Sequence, residues 1–382
     1  MTYRKLTADF LFDGFQMHSG KMLVLEADGT LVDVAPIVGD DVEKLAGIIA
    51  PGFINSHCHL ELSGMKGVLP PGSGLVDFLI GVVTRRDEVS DKQAAIQAAH
   101  DELWQAGVQA VVDICNGADS MPVKRGSHIH WKNRVEVLSF FDDQLPQRQA
   151  YYTDVLQQFH LAGLEAAFTP HAPYSLSPAA LQWLNEVTAG GMVTMHNSET
   201  AAEHELFLGG GGDFLRLYEA VLPARPSIGN TGKRSMQSWL PYFTEGQTLL
   251  LVHNTFVTKE DVQFAKGHAK KYGLQLLYCL CPNANRYIEN ALPPADMLMN
   301  EGCTLLLGTD SYSSNWQLSI ASEMEILMQT FPGIKLETAL SWATGNGAGL
   351  FGNNVGLFKR RTKSGVVQIT EKENTRQVKR IV

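Results

Sequence analysis

The chain has 382 residues, 45% of them apolar, and a formal net charge of −9 at pH 7. That length suits one large α/β domain with a small appendage and supplies a substantial core. The acidic balance, with no basic run beyond Lys359-Arg360-Arg361 and Lys363, excludes a nucleic-acid backbone as the expected partner.

In chain order, the N-terminus MTYRKLTADF has no apolar signal-like run. No later stretch reaches the roughly 18 uninterrupted apolar residues of a membrane span. The expected location is therefore cytoplasmic, with no membrane partner. Residues 1–49 read as short strands: DFLFDG, KMLVLEA and LVDVAPI are apolar runs broken by Gly and Asp. Residues 354–382 are similar, with GVVQIT as a strand candidate. The two ends are expected to form one small β-domain. Between them, over residues 50–353, apolar strand-like segments alternate with amphipathic helical stretches, the pattern of βα units. The strands read GIIAPGFIN, VQAVVDICN, RVEVLSFF, EAAFTP, GMVTMHNSE, TLLLVHN, LQLLYCLC and CTLLLGTD. They are expected to end near Asn55, Asn116, Phe141, Pro170, Glu199, Asn254, Cys281 and Asp310. DKQAAIQAAHDELWQAG, stopped by Gly107, is one of the helices between them. Eight strands close a barrel, so the predicted fold class is α/β, a (β/α)8 barrel of the TIM type. The glycine run Gly209–Gly212 lacks the spacing of a phosphate loop and reads as a loop or insertion.

The five cysteines, Cys58, Cys115, Cys279, Cys281 and Cys303, are odd in number and include no CxxC pair. They argue against a disulfide scaffold and read as small buried hydrophobes.

Catalytic groups of such a barrel sit at the C-terminal ends of its strands. There the chain sets His57-Cys58-His59 after strand one, His171 after strand four, and His196 with Glu199 at strand five. His253 closes strand six and Asp310 closes strand eight. In an extended segment residues i and i+2 point to one side, so His57 and His59 can bind one ion. His196 adds a third nitrogen and Asp310 a carboxylate, leaving a position for water. Zn²⁺ suits that set, and Fe²⁺ is also compatible. Any one of these histidines alone reads as structural; the set at one barrel end does not. A second HxH, His128-Ile129-His130, precedes strand three and belongs to the opposite face, so it is read as non-functional. A bound divalent ion lowers the pKa of its water from about 15.7 toward neutrality, and Asp310 is placed to accept the proton.

PGFINSHCHL resembles the first motif of the amidohydrolase superfamily, and TPHAPYSLS, MHNSETAAEHE, LLVHN and LLGTDSYSSN resemble its later motifs in order. The resemblance lies in the branch of nucleoside and nucleobase deaminases and triazine chlorohydrolases. HLELSG, CPNANR and SSNWQLSIASE are most similar to aminofutalosine deaminases of menaquinone synthesis. Two departures stand out: Ala284 replaces a usual Ser, and the tail VGLFKRRTKSG differs from the usual Gly-Lys-x-Ala-Asp strand. The resemblance implies a deaminase of an adenine-type ring, a small-molecule enzyme; because binuclear members of the superfamily carry a bridging Lys or Glu at the end of strand four, where this chain has Phe168-Thr169-Pro170-His171, it also implies a single divalent metal. Glu199 would shuttle the proton to the ring nitrogen and the leaving ammonia. His253 would orient the nucleophile, or serve as a fourth ligand. His171, Ser314, Glu61 and Arg286 would contact the substrate. The competing expectations are guanine or S-adenosylhomocysteine deamination, triazine dechlorination, cyclic-amide hydrolysis, and an inactive metal-binding barrel. A homodimer is expected only because it is the commonest closed assembly.

Overall fold

The structure, a computed structural model, describes residues 3–373 and 375–382. The expected end segments, 1–49 and 354–382, thus include Met1, Thr2 and Asn374, which lie outside the described residues.

Eight parallel strands carry the centre of the molecule: β1 (Phe53–Cys58), β2 (Val108–Cys115), β3 (His130–Val137), β4 (Ala166–Pro170), β5 (Met192–Asn197), β6 (Thr248–His253), β7 (Gln275–Leu280) and β8 (Leu305–Leu307). They form two four-stranded sheets, β1 to β4 and β5 to β8, each in sequential order. Every residue of β1 and β2 is buried, as expected of parallel strands covered on both faces. Their side chains are accordingly apolar except where function or a buried pair needs otherwise. Helices join successive strands. Lys92–Gln105 starts at Asp91, whose carboxylate accepts from the Ala94 amide at 3.0 Å. It stops before Gly107, whose φ of 87° releases the chain toward β2.

The two sheets meet at two seams. Beside β1, Cys58 makes a parallel bridge to Asp310. The amides of Thr309 and Asp310 both donate to the His57 carbonyl, at 3.1 and 3.0 Å. This approach needs Gly308, where a Cβ would come within 2.8 Å of the His57 Cβ and 2.9 Å of the Cys279 sulfur. At the other seam the His196 amide donates to the His171 carbonyl at 2.9 Å, and the Thr194 amide to the Thr169 hydroxyl at 2.7 Å.

Three strand ends differ from expectation. β1 runs on through His57 to Cys58 instead of stopping near Asn55. β3 stops at Val137, short of Phe141, and β8 at Leu307, short of Asp310. Asp310, with φ of 57°, has left the extended conformation, three residues beyond the apolar run Leu305–Leu307.

The chain ends pair with each other. Val366–Lys372 lies antiparallel to Ile48–Pro51, with Val367 opposite Ala50, in a five-stranded sheet that includes Phe10–Phe12 and Met17–His18. A four-stranded sheet packs on it through Leu6, Leu23 and Leu25 against Leu11, Ile49 and Val366. The expected boundary at residue 50 falls inside the strand Ile48–Pro51. The fifth strand, Thr375–Arg380, was not legible, because TRQVKR has no apolar run and only one of its faces is covered. Among the described residues no helix is long and apolar enough to cross a membrane.

Candidate active site

The C-terminal strand ends converge on a buried cluster. His57 lies within β1 and His59 directly after it; their rings stand edge to face with centroids 4.9 Å apart. The Nε2 atoms of His59 and His196 are 3.4 Å apart. Asp310 Oδ1 is 3.6 Å from the Nε2 atoms of both His57 and His59. One ligand atom from each of His57, His59 and His196 falls within a 4.8 Å group. Burial keeps these imidazoles neutral, lowering His59 and His196 each to about 4. Burial alone would raise the Asp310 carboxyl, but the facing imidazoles of His57 and His59, each 3.6 Å away, hold it well below the usual carboxylate range. The His196 Nδ1–H donates to the His171 carbonyl at 2.8 Å, which turns the lone pair of Nε2 toward the cluster. Both ring nitrogens of His57, and Nδ1 of His59, are buried without a hydrogen-bond partner. Unprotonated nitrogens converging with an ionised carboxylate are the donor set of a divalent cation, and the residues fit one.

Backbone strain is concentrated at the same place. Of nine non-glycine residues described with positive φ, four are Ser198, His253, Asn254 and Asp310, all at the ends of β5, β6 and β8. Such conformations persist where the surrounding structure enforces them, commonly at functional sites.

Beside the cluster stand Glu199 and His253. Glu199 Oε1 is 3.4 Å from His253 Nε2. Burial, then the neighbouring carboxylates of Asp310 and Glu203, push the Glu199 carboxyl well above the usual carboxylate range, in the direction that favours its protonated form. The Glu203 carboxylate accepts from the amides of Ser198 and Glu199 at 3.2 and 3.3 Å and so fixes the turn that aims Glu199. Asn285 Nδ2 donates to His253 Nδ1 at 3.0 Å. The proton of this neutral ring therefore sits on Nε2, facing Glu199. Asn285 lies in the CPNANR segment, but sequence alone gave no role to that residue.

A model of the amidohydrolase family matches residues 48–360. The chain belongs to the amidohydrolase family. The aminodeoxyfutalosine deaminase of Deinococcus radiodurans is 26% identical over 379 residues, 94% of this chain and 88% of the relative. Helicobacter pylori aminofutalosine deaminase, solved with methylthio-coformycin, superposes with a TM-score of 0.80 at 21% identity, covering 97% of this chain and 93% of that one. An adenosine deaminase from Xanthomonas campestris with bound zinc superposes with a TM-score of 0.65 at 19% identity, covering 96% and 84%. At these identities the likeness of the solved structures is one of fold.

In this amidohydrolase the other expected site residues are divided. His171 lines the same cavity of about 130 Å³ as His59, His196, Glu199, His253 and Asp310, with Nδ1 2.7 Å from the Ser175 hydroxyl. Ser314, expected at the substrate, is fully buried, and its hydroxyl donates to Asp310 Oδ2 at 2.6 Å; Ser311 and Ser313 line the cavity in its place. Arg286 is exposed on the helix Pro282–Glu289 and does not line that cavity. Glu61 accepts from the amides of Asn116 and Gly117 at 2.9 and 3.2 Å and lines a neighbouring cavity of about 320 Å³. His130 opens β3 at the opposite end from the cluster, and His128 packs on Trp104.

Sequence reasoning missed Glu136. It looked for a carboxylate at the end of β4, whereas Glu136 comes from β3 and falls in a ligand group with His171 and His196. Alternation along β3 could have found it: a Glu between Val135 and Val137 in a buried strand faces the other strand ends.

Proposed function

We propose that this amidohydrolase is a hydrolytic deaminase of an adenine-type ring, with aminofutalosine as substrate and futalosine and ammonia as products. The observation that carries the reading is Glu199, buried with its Oε1 3.4 Å from His253 Nε2 beside three imidazoles and a carboxylate. A structural or storage site has no use for a proton donor in that position. The adenine-type ring is supported by the relatives, a Deinococcus radiodurans aminodeoxyfutalosine deaminase and a Helicobacter pylori aminofutalosine deaminase among them.

His57, His59, His196 and Asp310 would hold one divalent ion, and Zn²⁺ suits the set, as in the zinc-bearing Xanthomonas campestris deaminase. When bound, such an ion acidifies a water and polarises it for attack on an electrophilic ring carbon. Asp310, ionised, takes the proton of the attacking water. Glu199 gives its proton to the ring nitrogen beside that carbon, takes up the second proton of the water as the carbonyl forms and passes it to the departing amine, and is restored by the proton held on Asp310, so that water and the ring amine become ring carbonyl and ammonia. His253 orients the attacking oxygen through its Nε2–H, the role favoured over ligation by the hydrogen bond that Nδ1 accepts from Asn285. The eight strands act as one closed (β/α)8 barrel over residues 50–353, carrying a small β-domain made of residues 1–49 and 354–382. Both seams and the pairing of Val367 with Ala50 support that division.

The test is kcat/KM for aminofutalosine, adenosine, S-adenosylhomocysteine and guanine, read by ammonia release from metal-loaded protein. Aminofutalosine should lead. A tenfold advantage for guanine or for a non-purine, about 1.4 kcal/mol of transition-state preference, would overturn the substrate and leave a metal-dependent hydrolase.

A further inference from the structure

Glu136 is a buried carboxyl with one oxygen spent and one free. Its Oε2 accepts from Asn116 Nδ2 at 2.8 Å. Its Oε1 is buried and has no hydrogen-bond partner. The nearest ring nitrogen, Nδ1 of His196, is 3.6 Å away, beyond hydrogen-bond range. That Nδ1–H is already given to the His171 carbonyl at 2.8 Å. For the same reason Glu136, His171 and His196, although close enough to one another to be a ligand group, do not make a second metal site: the His196 nitrogen on that side carries a proton and has no lone pair to offer.

A free buried acceptor is costly unless something fills it. Glu136 lines the cavity that His59, Glu199 and Asp310 also line, so its free oxygen is open to a ligand atom there. The side matters. The Nε2 of His196 faces the metal-ligand cluster, and Glu136 lies beyond Nδ1, on the far side of the same ring. It therefore meets the part of a bound molecule away from the reacting carbon. On a nucleoside-like compound, the donors there are the hydroxyls of the sugar.

We propose that Glu136 is a specificity-determining substrate contact, its free Oε1 bonding a sugar hydroxyl of the bound nucleoside. This rests on the deaminase reading above.

The test compares kcat/KM for adenosine, 2′-deoxyadenosine and 3′-deoxyadenosine in the wild type, Glu136→Ala and Glu136→Gln, with metal content measured on each. Glu136→Gln keeps an oxygen for Asn116 and guards against loss of fold. The wild type should favour adenosine over one deoxy analogue by about 10–100-fold, the worth of a hydrogen bond to a charged or strongly polar group. In Glu136→Ala that ratio should fall close to one, with metal retained, and Glu136→Gln should lie between. A ratio that persists in Glu136→Ala, or a wild type indifferent to both hydroxyls, overturns the contact. Loss of metal in both variants also overturns it, because Glu136 would then support the ligand set. No ammonia from aminofutalosine or from any of these adenosines with wild-type enzyme defeats the deaminase reading itself, a result distinguishable from all the others.

Discussion

Two substitutions separate holding the ion from moving the proton. His57→Ala removes a nitrogen from the centre of the cluster, so metal and activity should fall together. The control is His130→Ala, at the far end of β3, which should leave metal content as it was. Elemental analysis of the purified variants decides it, and full occupancy in His57→Ala would remove that residue from the site. Glu199→Gln should behave differently. The amide keeps the volume and the turn held by Glu203, but it cannot change protonation state. Turnover should drop roughly 10²–10⁴-fold with metal content and Tm unchanged; wild-type turnover would move the proton donor elsewhere. The residue types were legible here because metal and proton chemistry restrict the choice to few side chains. Their partners were not: Asn285, Glu203 and Ser314 act on His253, Glu199 and Asp310 through contacts 32, 4 and 4 positions away.

At the level of elements, a buried ion pair ties β2 to the turn that follows His59. Lys124, on the short helix Met121–Lys124, is fully buried and bonds the Asp113 carboxylate of β2 as well as Asn133 Oδ1 at 2.7 Å. The other Asp113 oxygen accepts from the Leu60 amide, directly after His59, at 2.8 Å. Asp113→Ala leaves Lys124 buried and unpaired and should cost about 3–5 kcal/mol. Replacing both, Asp113→Ala with Lys124→Met, should recover most of that stability. The Leu60 amide stays unanchored in both variants, so both should bind metal more weakly than the wild type. Thermal unfolding and metal titration on the three proteins check this, and a double variant with wild-type metal affinity would show that the anchor does not matter. The strands themselves were legible because parallel strands buried on both faces are unbroken apolar runs. Their ends were less so, since residues 138–141 continue a largely apolar run past the last ladder pairing of β3, and Asp310 pairs only through an isolated bridge to Cys58.

For the whole molecule, the C-terminal segment completes a sheet begun by residues near the N-terminus. Val366, Val367 and Ile369 are each at most 3% exposed, and burying them contributes on the order of 5–9 kcal/mol in total. That is comparable with the entire margin of a typical domain, about 5–15 kcal/mol. A chain truncated after Gly365 should therefore lose its cooperative thermal transition or unfold at much lower temperature. A truncated protein melting at the wild-type Tm would show that the terminal sheet and the parallel strands are energetically independent.

The sequence by itself determined the alternation of strands and helices, because hydrophobic periodicity is a local property. It also determined the order in which His57, His59, His196, His253 and Asp310 arrive at strand ends, because each follows an apolar run. Only the tertiary structure decided which of the remaining polar groups face the cavity. Arg286 and Glu61 belong to the right motifs, yet one is on an exposed helix face and the other has both oxygens taken by backbone amides. Glu136 belongs to no motif, yet it is left with a free oxygen among the catalytic groups. The physical reason is that residue type is written along the chain, whereas the partner that satisfies or leaves free a buried polar atom comes from strands and turns far away in sequence.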